Sequence, residues 1–319
     1  MTAVHATGRL ITVLDLAIVI LNYNTRDLLQ RCLETVYASQ GSFTYDVCVV
    51  DNASSDGSAA MVQKMFPQVT LIASPINGGF SYGNNLGLRH YGFADNPDDS
   101  DESKTPRYAL LLNPDTEVPA TALADMLDFM DSRPDCGVAG PKLVRPDGSL
   151  DLACRRSFPS PEIAGYRMLG LSKLFPGSER FGRYNMTYLD PDVMTEVDSV
   201  VGAFMMVRGA AICQAGLLDE NFFMYGEDLD WAFRIKERGW TVWYNPEVTV
   251  LHVKEAASKT SSKARYEFYR AMILFYRKHY EADTPWWLHW LIVGGIGLRG
   301  MMAMIGQAWS QFRRSLALT

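Results

Sequence analysis

The chain has 319 residues, 48% of them hydrophobic, which is enough for one large core or two modest ones. Thirty-six acidic residues against 30 basic ones give a net charge of −6. That balance argues against a nucleic-acid binder, which needs a basic face. An anionic ligand would have to be met locally, by a metal, by backbone N–H groups or by a few cations.

The first half alternates buried strands with amphipathic helices. "LAIVILN" (Leu16–Asn22) is a continuous apolar run, the mark of a strand covered on both faces. "TRDLLQRCLETVYAS" follows, with Thr25 as the expected N-cap and Leu28, Leu29, Cys32, Leu33 and Val36 on one helical face. "DVCVVD" is a second buried strand ending at Asp51, and a helix is expected around Ala59–Phe66. "VTLIAS" is a third strand, and "NGGFSYGNNLGLRHYG" turns into a helix. "RYALLLN" is a fourth strand, and Leu123, Met126, Leu127 and Met130 share a face in a helix over Ala120–Asp131. Such alternation implies an α/β fold, a mainly parallel sheet flanked by helices.

"DNPDDSDESK" (Asp95–Lys104) interrupts this order with five acids and no apolar residue, and reads as a solvated insertion. Regularity fades from Gly140 to Val197. Beyond it, "VDSVVGAFMMVRG" is strand-like, and "GWTVWYNPEVTVLHV" holds two strand-like runs around Pro246. "KARYEFYRAMILFYRKHY" is a basic, aromatic helix. The five cysteines (Cys32, Cys48, Cys136, Cys154, Cys213) form no CxxC pair and read as buried, reduced thiols, as in a cytoplasmic protein. The opening residues hold no apolar core of signal-peptide length.

The C-terminal stretch from Trp286 to Trp309 is nearly all apolar and carries four tryptophans (Trp286, Trp287, Trp290, Trp309). His289, Arg299 and five glycines interrupt it as a membrane span. Tryptophans favour a membrane interface, and Arg313 and Arg314 would meet anionic head groups. Two readings stay open: peripheral contact with the inner face of the cell membrane, or packing on the catalytic domain or on a second copy in a homo-oligomer.

A parallel sheet binds ligands beyond the carboxyl ends of its strands. Asn22 with Asn24, Asp51, the loop from Asn77, and Asp115 all fall there. A nicotinamide enzyme would need G-x-G-x-x-G after the first strand, where this chain has "NYNTRD". Asp51 can accept hydrogen bonds from a base or ribose, or can cap its own turn. Asn84 and Asn85 can read a nucleotide or sugar, and Asp115 can bind a divalent cation or cap the next helix. "MYGEDLDWAFRIKERGW" (Met224–Trp240) sets three carboxylates in four positions among aromatics. It is either a wet helix start or the seat of a base or metal.

Seven segments in order, "VILNYN", "VVDNASSDGS", "NGGFSYGNNLG", "LLLNPDTEV", "VVGAFMMVRG", "GLLDENFFMYGEDLDWAFRIKERGW" and "YNPEVTVLHV", resemble the inverting family 2 glycosyltransferases of GT-A fold. They cover about Leu16 to His252. The branch with "FFMYGEDLDW" and a following histidine is similar to bacterial rhamnosyltransferases and galactofuranosyltransferases of cell-surface polysaccharide assembly. The resemblance implies a GT-A catalytic domain over 1–255, with a nucleotide half near 15–118 and an acceptor half near 135–255, and a helical extension over 256–319. It implies Asp228 as general base, and Asp115 and His252 as ligands of Mg²⁺ or Mn²⁺. It puts the donor, a sugar on a nucleoside diphosphate, against Asn22, Asn24, Asp51, Asn77, Gly79, Phe80, Asn84, Asn85 and Asn113. Asp198, Gly202, Ala203, Glu227 and Trp231 would shape the acceptor side, which takes a glycan or lipid-linked acceptor and no nucleic acid. The implied donor is dTDP-rhamnose; the alternatives are a galactofuranosyl or other hexosyl transferase using a UDP-sugar, and a catalytically silent sugar-nucleotide-binding protein on the same fold.

Overall fold

The structure is a computed structural model that describes residues 2–4, 10–12, 14–253 and 262–316. The expected boundary near 255 between catalytic domain and extension lies outside the described residues. A short hairpin pairs β1 (Thr2–Val4) with β2 (Leu10–Thr12). The main body is a nine-stranded sheet.

Its first half is β3 (Leu16–Asn22), β4 (Tyr45–Asp51), β5 (Thr70–Ala73) and β6 (Tyr108–Leu112), all parallel in the order β5-β4-β3-β6. The apolar runs of β3, β4 and β6 are buried because helices cover both faces. Those helices are α1 (Arg26–Tyr37), α2 (Ser58–Met65) and α3 (Phe80–His90). The predicted face of α1 is the buried one, Leu28, Leu29, Cys32, Leu33 and Val36. Thr25 does not cap α1 through its side chain; its hydroxyl donates to Asn22 Oδ1 at 2.7 Å. The helix start gives up a cap so that Asn22 can be oriented.

The second half adds β7 (Thr116–Glu117), α4 (Ala122–Asp131), β8 (Cys136–Val144), α5 (Pro161–Met168), α6 (Leu171–Leu174), β9 (Thr195–Glu196), β10 (Phe204–Arg208), α7 (Gly209–Ala215), α8 (Glu227–Glu237) and β11 (Thr241–His252). β10 runs antiparallel between β6 and β8, and β11 is parallel to β8. The two runs around Pro246 are one strand. Its register against β8 slips between Asn245 and Thr249, where Pro246 lacks the N–H a regular ladder would use. The acidic insertion forms two short 3₁₀ turns, Pro97–Asp99 and Glu102–Lys104, each capped by the side chain before it. All five cysteines are free and buried.

Two helices close the chain, α9 (Ser262–His279) and α10 (Trp286–Leu316). α9 packs on the catalytic body: Ala271 and Phe275 join Phe222 and Leu229 in a second small core. Asp230 of α8, fully buried, ties the same helices together through His279 and Lys278, both at 2.8 Å. α10 lies on α9, where Arg265 Nη1 donates to Ala303 O at 2.8 Å. Most of α10 faces outward, with Trp286 77% and Trp290 65% exposed.

Candidate active site

The ends of β3, β4 and β6 bring three of the expected groups to one edge of the sheet. Asn22 Nδ2 donates to Asp51 Oδ1 at 2.9 Å, and the Ser54 backbone N–H donates to Asp51 Oδ2 at 3.0 Å. Asp51 is therefore a buried carboxylate held in place by its neighbours, with lone pairs left for a ligand. Asn24 and Ala53 stand beside it at φ 54° and 63°, in the left-handed region that costs a non-glycine residue about 1–2 kcal/mol. Asn24 Oδ1 accepts from the Ser55 backbone N–H at 2.8 Å, which fixes the first loop against the second.

The glycine loop is built to meet the acidic segment. Gly79 sits at φ 92°, and a Cβ there would lie 2.3 Å from Phe223 O. The next N–H, of Phe80, donates to that same Phe223 carbonyl at 2.6 Å. Asn77 Oδ1 accepts from Asn52 Nδ2 at 3.0 Å and from the Gly79 N–H at 3.1 Å. Asn84 and Asn85, expected to read the donor, have their amide nitrogens committed inside the protein. Asn84 Nδ2 donates to Phe80 O at 2.9 Å, and Asn85 clasps the backbone of Leu218 in both directions.

Beyond β6, the Asn113 N–H bonds Ala203 O at 2.9 Å, so the Asp115 loop is fixed to the segment leading into β10. Asp115 Oδ1 lies 3.4 Å from His252 Nε2, and His252 Nδ1 lies 2.9 Å from Asp151 Oδ2. Burial alone would lower the imidazole pKa of His252, but hydrogen bonds to Asp115 and Asp151 outweigh it and raise the pKa above its usual value. A carboxylate on the far ring nitrogen is the arrangement that orients a metal-ligating histidine. Among the described residues no cluster of three or more His, Cys, Asp or Glu could hold an ion by itself. Asp115 and His252 thus form no closed structural metal site among the described residues.

The "GEDLD" carboxylates start α8 after two left-handed residues, Tyr225 at φ 69° and Gly226 at φ 83°. Asp228, 5% exposed, is the hub of this region. Arg156 Nη2 donates to its Oδ2 at 2.7 Å, the Gly202 N–H donates to the same oxygen at 3.1 Å, and the Leu229 N–H donates to Oδ1 at 2.8 Å. A Cβ on Gly202 would sit 3.0 Å from Phe80 Cζ, so glycine loop, acceptor segment and acidic helix meet at this point. Glu227 is also buried, and its Oε2 has no partner among the described residues. Burial and the adjacent Asp228 charge push its pKa up to about 8.

Several expected site residues belong to the frame. Trp231 is fully buried and donates to Gly216 O at 2.8 Å; Ala203 is core. Asp198 accepts from the Phe158 N–H and from Lys236. Two residues with direct contacts to the expected machinery, Asp151 and Arg156, were not singled out from the sequence. "SLDLAC" offers no signal for Asp151, whereas two adjacent arginines in "ACRRSFPSP" hinted at a buried cation.

Residues 17–179, about half of the chain, match the family described as Glycosyl transferase family 2. The chain belongs to this family. It is a glycosyltransferase. The sequence is 26% identical over 276 residues to an N-acetylglucosaminyl-diphospho-decaprenol L-rhamnosyltransferase of Mycobacterium tuberculosis, covering 85% of this chain and 87% of the relative. It is 27% identical over 241 residues to the rhamnosyltransferase WbbL of Escherichia coli, covering 74% and 82% of the two chains. The fold is similar to that of the mannosyltransferase PcManGT of Pyrobaculum calidifontis, solved with GDP-Man and Mn²⁺, at a TM-score of 0.55 and 15% identity over 96% of this chain and 76% of that one. Family 2 membership and this likeness agree with the GT-A reading of the sheet.

Proposed function

We propose that this family 2 enzyme moves L-rhamnose from dTDP-rhamnose to a hydroxyl of a lipid-linked or cell-surface glycan, with inversion at the anomeric carbon. The observation that carries the reading is the buried Asp228 carboxylate at the junction of glycine loop, acceptor segment and acidic helix. Rhamnosyltransferases at 26–27% identity over most of the chain support the sugar. A UDP-sugar donor is the alternative.

Asn24, Asp51, Asn77, Gly79, Phe80 and Asn113 hold the nucleotide sugar at the strand ends, and the buried Asn22 orients Asp51. Asp228 accepts the proton of the acceptor hydroxyl. The freed oxygen pair forms the bond to C1 while the C1–O bond to phosphate breaks on the opposite face, and the nucleoside diphosphate leaves with the electron pair of that broken bond. Arg156 and the Gly202 N–H fix the Asp228 rotamer, so the carboxylate is aimed before the acceptor arrives. Asp115 and His252 would hold a Mg²⁺ or Mn²⁺ ion, with Asp151 orienting the imidazole; the ion would neutralise charge on the leaving diphosphate.

The working place is the cytoplasmic face of a membrane. α10 contains a 22-residue stretch, Trp286–Gln307, long and apolar enough to cross a bilayer and only 11% buried. A groove of about 270 Å³ between α5 and the α9–α10 pair, lined by Pro159, Leu169, Phe275 and Leu291, suits the chain of a lipid-linked acceptor.

The test is incubation of the protein with dTDP-rhamnose, Mn²⁺ and N-acetylglucosaminyl diphospho-decaprenol. The expected result is release of dTDP with a glycolipid one deoxyhexose heavier. Release of inorganic diphosphate, or turnover with UDP-sugars alone, would overturn the donor assignment.

A further inference from the structure

We propose that Glu227 is a second working carboxyl group of the site, one whose Oε2–H donates a hydrogen bond to an oxygen of the acceptor sugar beside Asp228. The proposal rests on the reading of Asp228 as the base and adds a specific acceptor contact to it. Glu227 is 6% exposed, and its Oε2 has no hydrogen-bond partner among the described residues. Its interaction with its own backbone N–H leaves that oxygen unsatisfied. A buried, unpaired carboxyl oxygen is costly, and a ligand that pairs with it removes the cost.

The two adjacent carboxyl groups have unequal surroundings. Asp228 receives three hydrogen bonds, from Arg156 Nη2 and from the N–H groups of Gly202 and Leu229. Among the described residues Glu227 Oε2 receives none. The charged and titratable groups around it are Asp228 and Asp230 on its own helix, Arg156 from the loop after β8, and Tyr225 from the turn before α8. α9 presents Ala271 to the start of α8, beside Gly226. Asp228 is thus held by three donors, while a protonated Glu227 has an O–H to donate. An ionised Glu227 would offer the acceptor a second charge in place of a donor, and would repel Asp228.

The experiment is difference infrared spectroscopy of the full-length protein, wild type minus Glu227→Gln, joined to pH–rate profiles. At pH 7 the wild type is expected to show a carboxylic-acid carbonyl band that Glu227→Gln lacks and that disappears above about pH 9. The band should shift when N-acetylglucosaminyl diphospho-decaprenol is added in detergent. With dTDP-rhamnose as donor, the wild-type rate should fall on the alkaline side, and Glu227→Gln should lose that fall because an amide does not ionise. Glu227→Ala should raise the acceptor KM about tenfold over Glu227→Gln, with donor affinity the same in both. No acid band at pH 7, or an unchanged alkaline limb in Glu227→Gln, would overturn the proposal. The infrared result is read without turnover, so failure of the Asp228 assignment, seen as an active Asp228→Asn, is a separate outcome.

Discussion

Arg156 Nη2 lies 2.7 Å from Asp228 Oδ2, and both side chains are buried. The pair joins residues 72 positions apart and ties the loop after β8 to the start of α8. Arg156 Nη2 also donates to Val200 O at 2.7 Å, while its buried Nε has no partner among the described residues. Arg156→Gln is expected to reduce kcat more than it raises the donor KM, because it loosens the Asp228 carboxylate without touching the nucleotide. Breaking such a pair costs about 3–5 kcal/mol of stability, so Arg156→Lys serves as the folded control. An Arg156→Gln enzyme with unchanged kcat would show that the pair is structural alone.

Asp151→Asn should weaken Mn²⁺ binding about 10- to 100-fold while leaving the protein folded, because the His252 ring loses the carboxylate on Nδ1. Calorimetric titration with Mn²⁺ in the presence of nucleoside diphosphate checks this. His252→Ala and Asp115→Ala should be weaker still. Full transferase activity in excess chelator would remove the metal from the account.

Asp51→Ala should weaken the donor by about 10- to 100-fold, the value of one buried charge-assisted hydrogen bond of roughly 1.5–3 kcal/mol. Equal donor affinity by calorimetry would take Asp51 out of the nucleotide site and leave it as the anchor of Asn22 and Ser54.

Glu227 also sets a pH dependence of stability. Its folded pKa is raised to about 8, above the ordinary value of 4.5 that the unfolded chain has. Between those values the folded state binds more protons than the unfolded one, so stability falls as pH rises. The contribution is full below about pH 4.5 and lost by about pH 8. Glu227→Gln should therefore show a smaller drop in Tm from pH 5 to pH 8 than the wild type. Parallel Tm curves would contradict the raised pKa.

Flotation with liposomes containing anionic lipid should carry the wild type upward, and a variant with Trp286, Trp287 and Trp290 changed to alanine should stay below. These side chains are 77%, 53% and 65% exposed. Equal recovery of both in the soluble fraction would assign the apolar face of α10 to contact between copies of the chain.

The buried strands and the amphipathic faces of α1 and α4 were legible because burial on two faces and burial on one leave different periodicities. The strand-end positions of Asn22, Asp51 and Asp115 followed from the same pattern. Side-chain partners were not legible. Thr25 has the identity of a cap and bonds Asn22 instead, because a long-range packing need outweighs a local preference. Pro246 looked like the break between two strands, and a register slip absorbs it within one. Asp151 and Arg156 acquire their roles only when the fold brings them to His252 and Asp228, 101 and 72 residues away. No spacing within a short motif encodes that.

The central claim is that Asp228 takes the acceptor proton. The most direct measurement is Asp228→Asn, assayed for donor binding by calorimetry and for transfer by dTDP release. An amide of the same shape keeps only the hydrogen bonds made to one of the two oxygens, that of Leu229 or those of Arg156 and Gly202, and cannot serve as a base. The account predicts donor affinity within about threefold of wild type and transfer reduced by about 10²–10⁴-fold. An Asp228→Asn enzyme that kept more than about a tenth of wild-type turnover would contradict it.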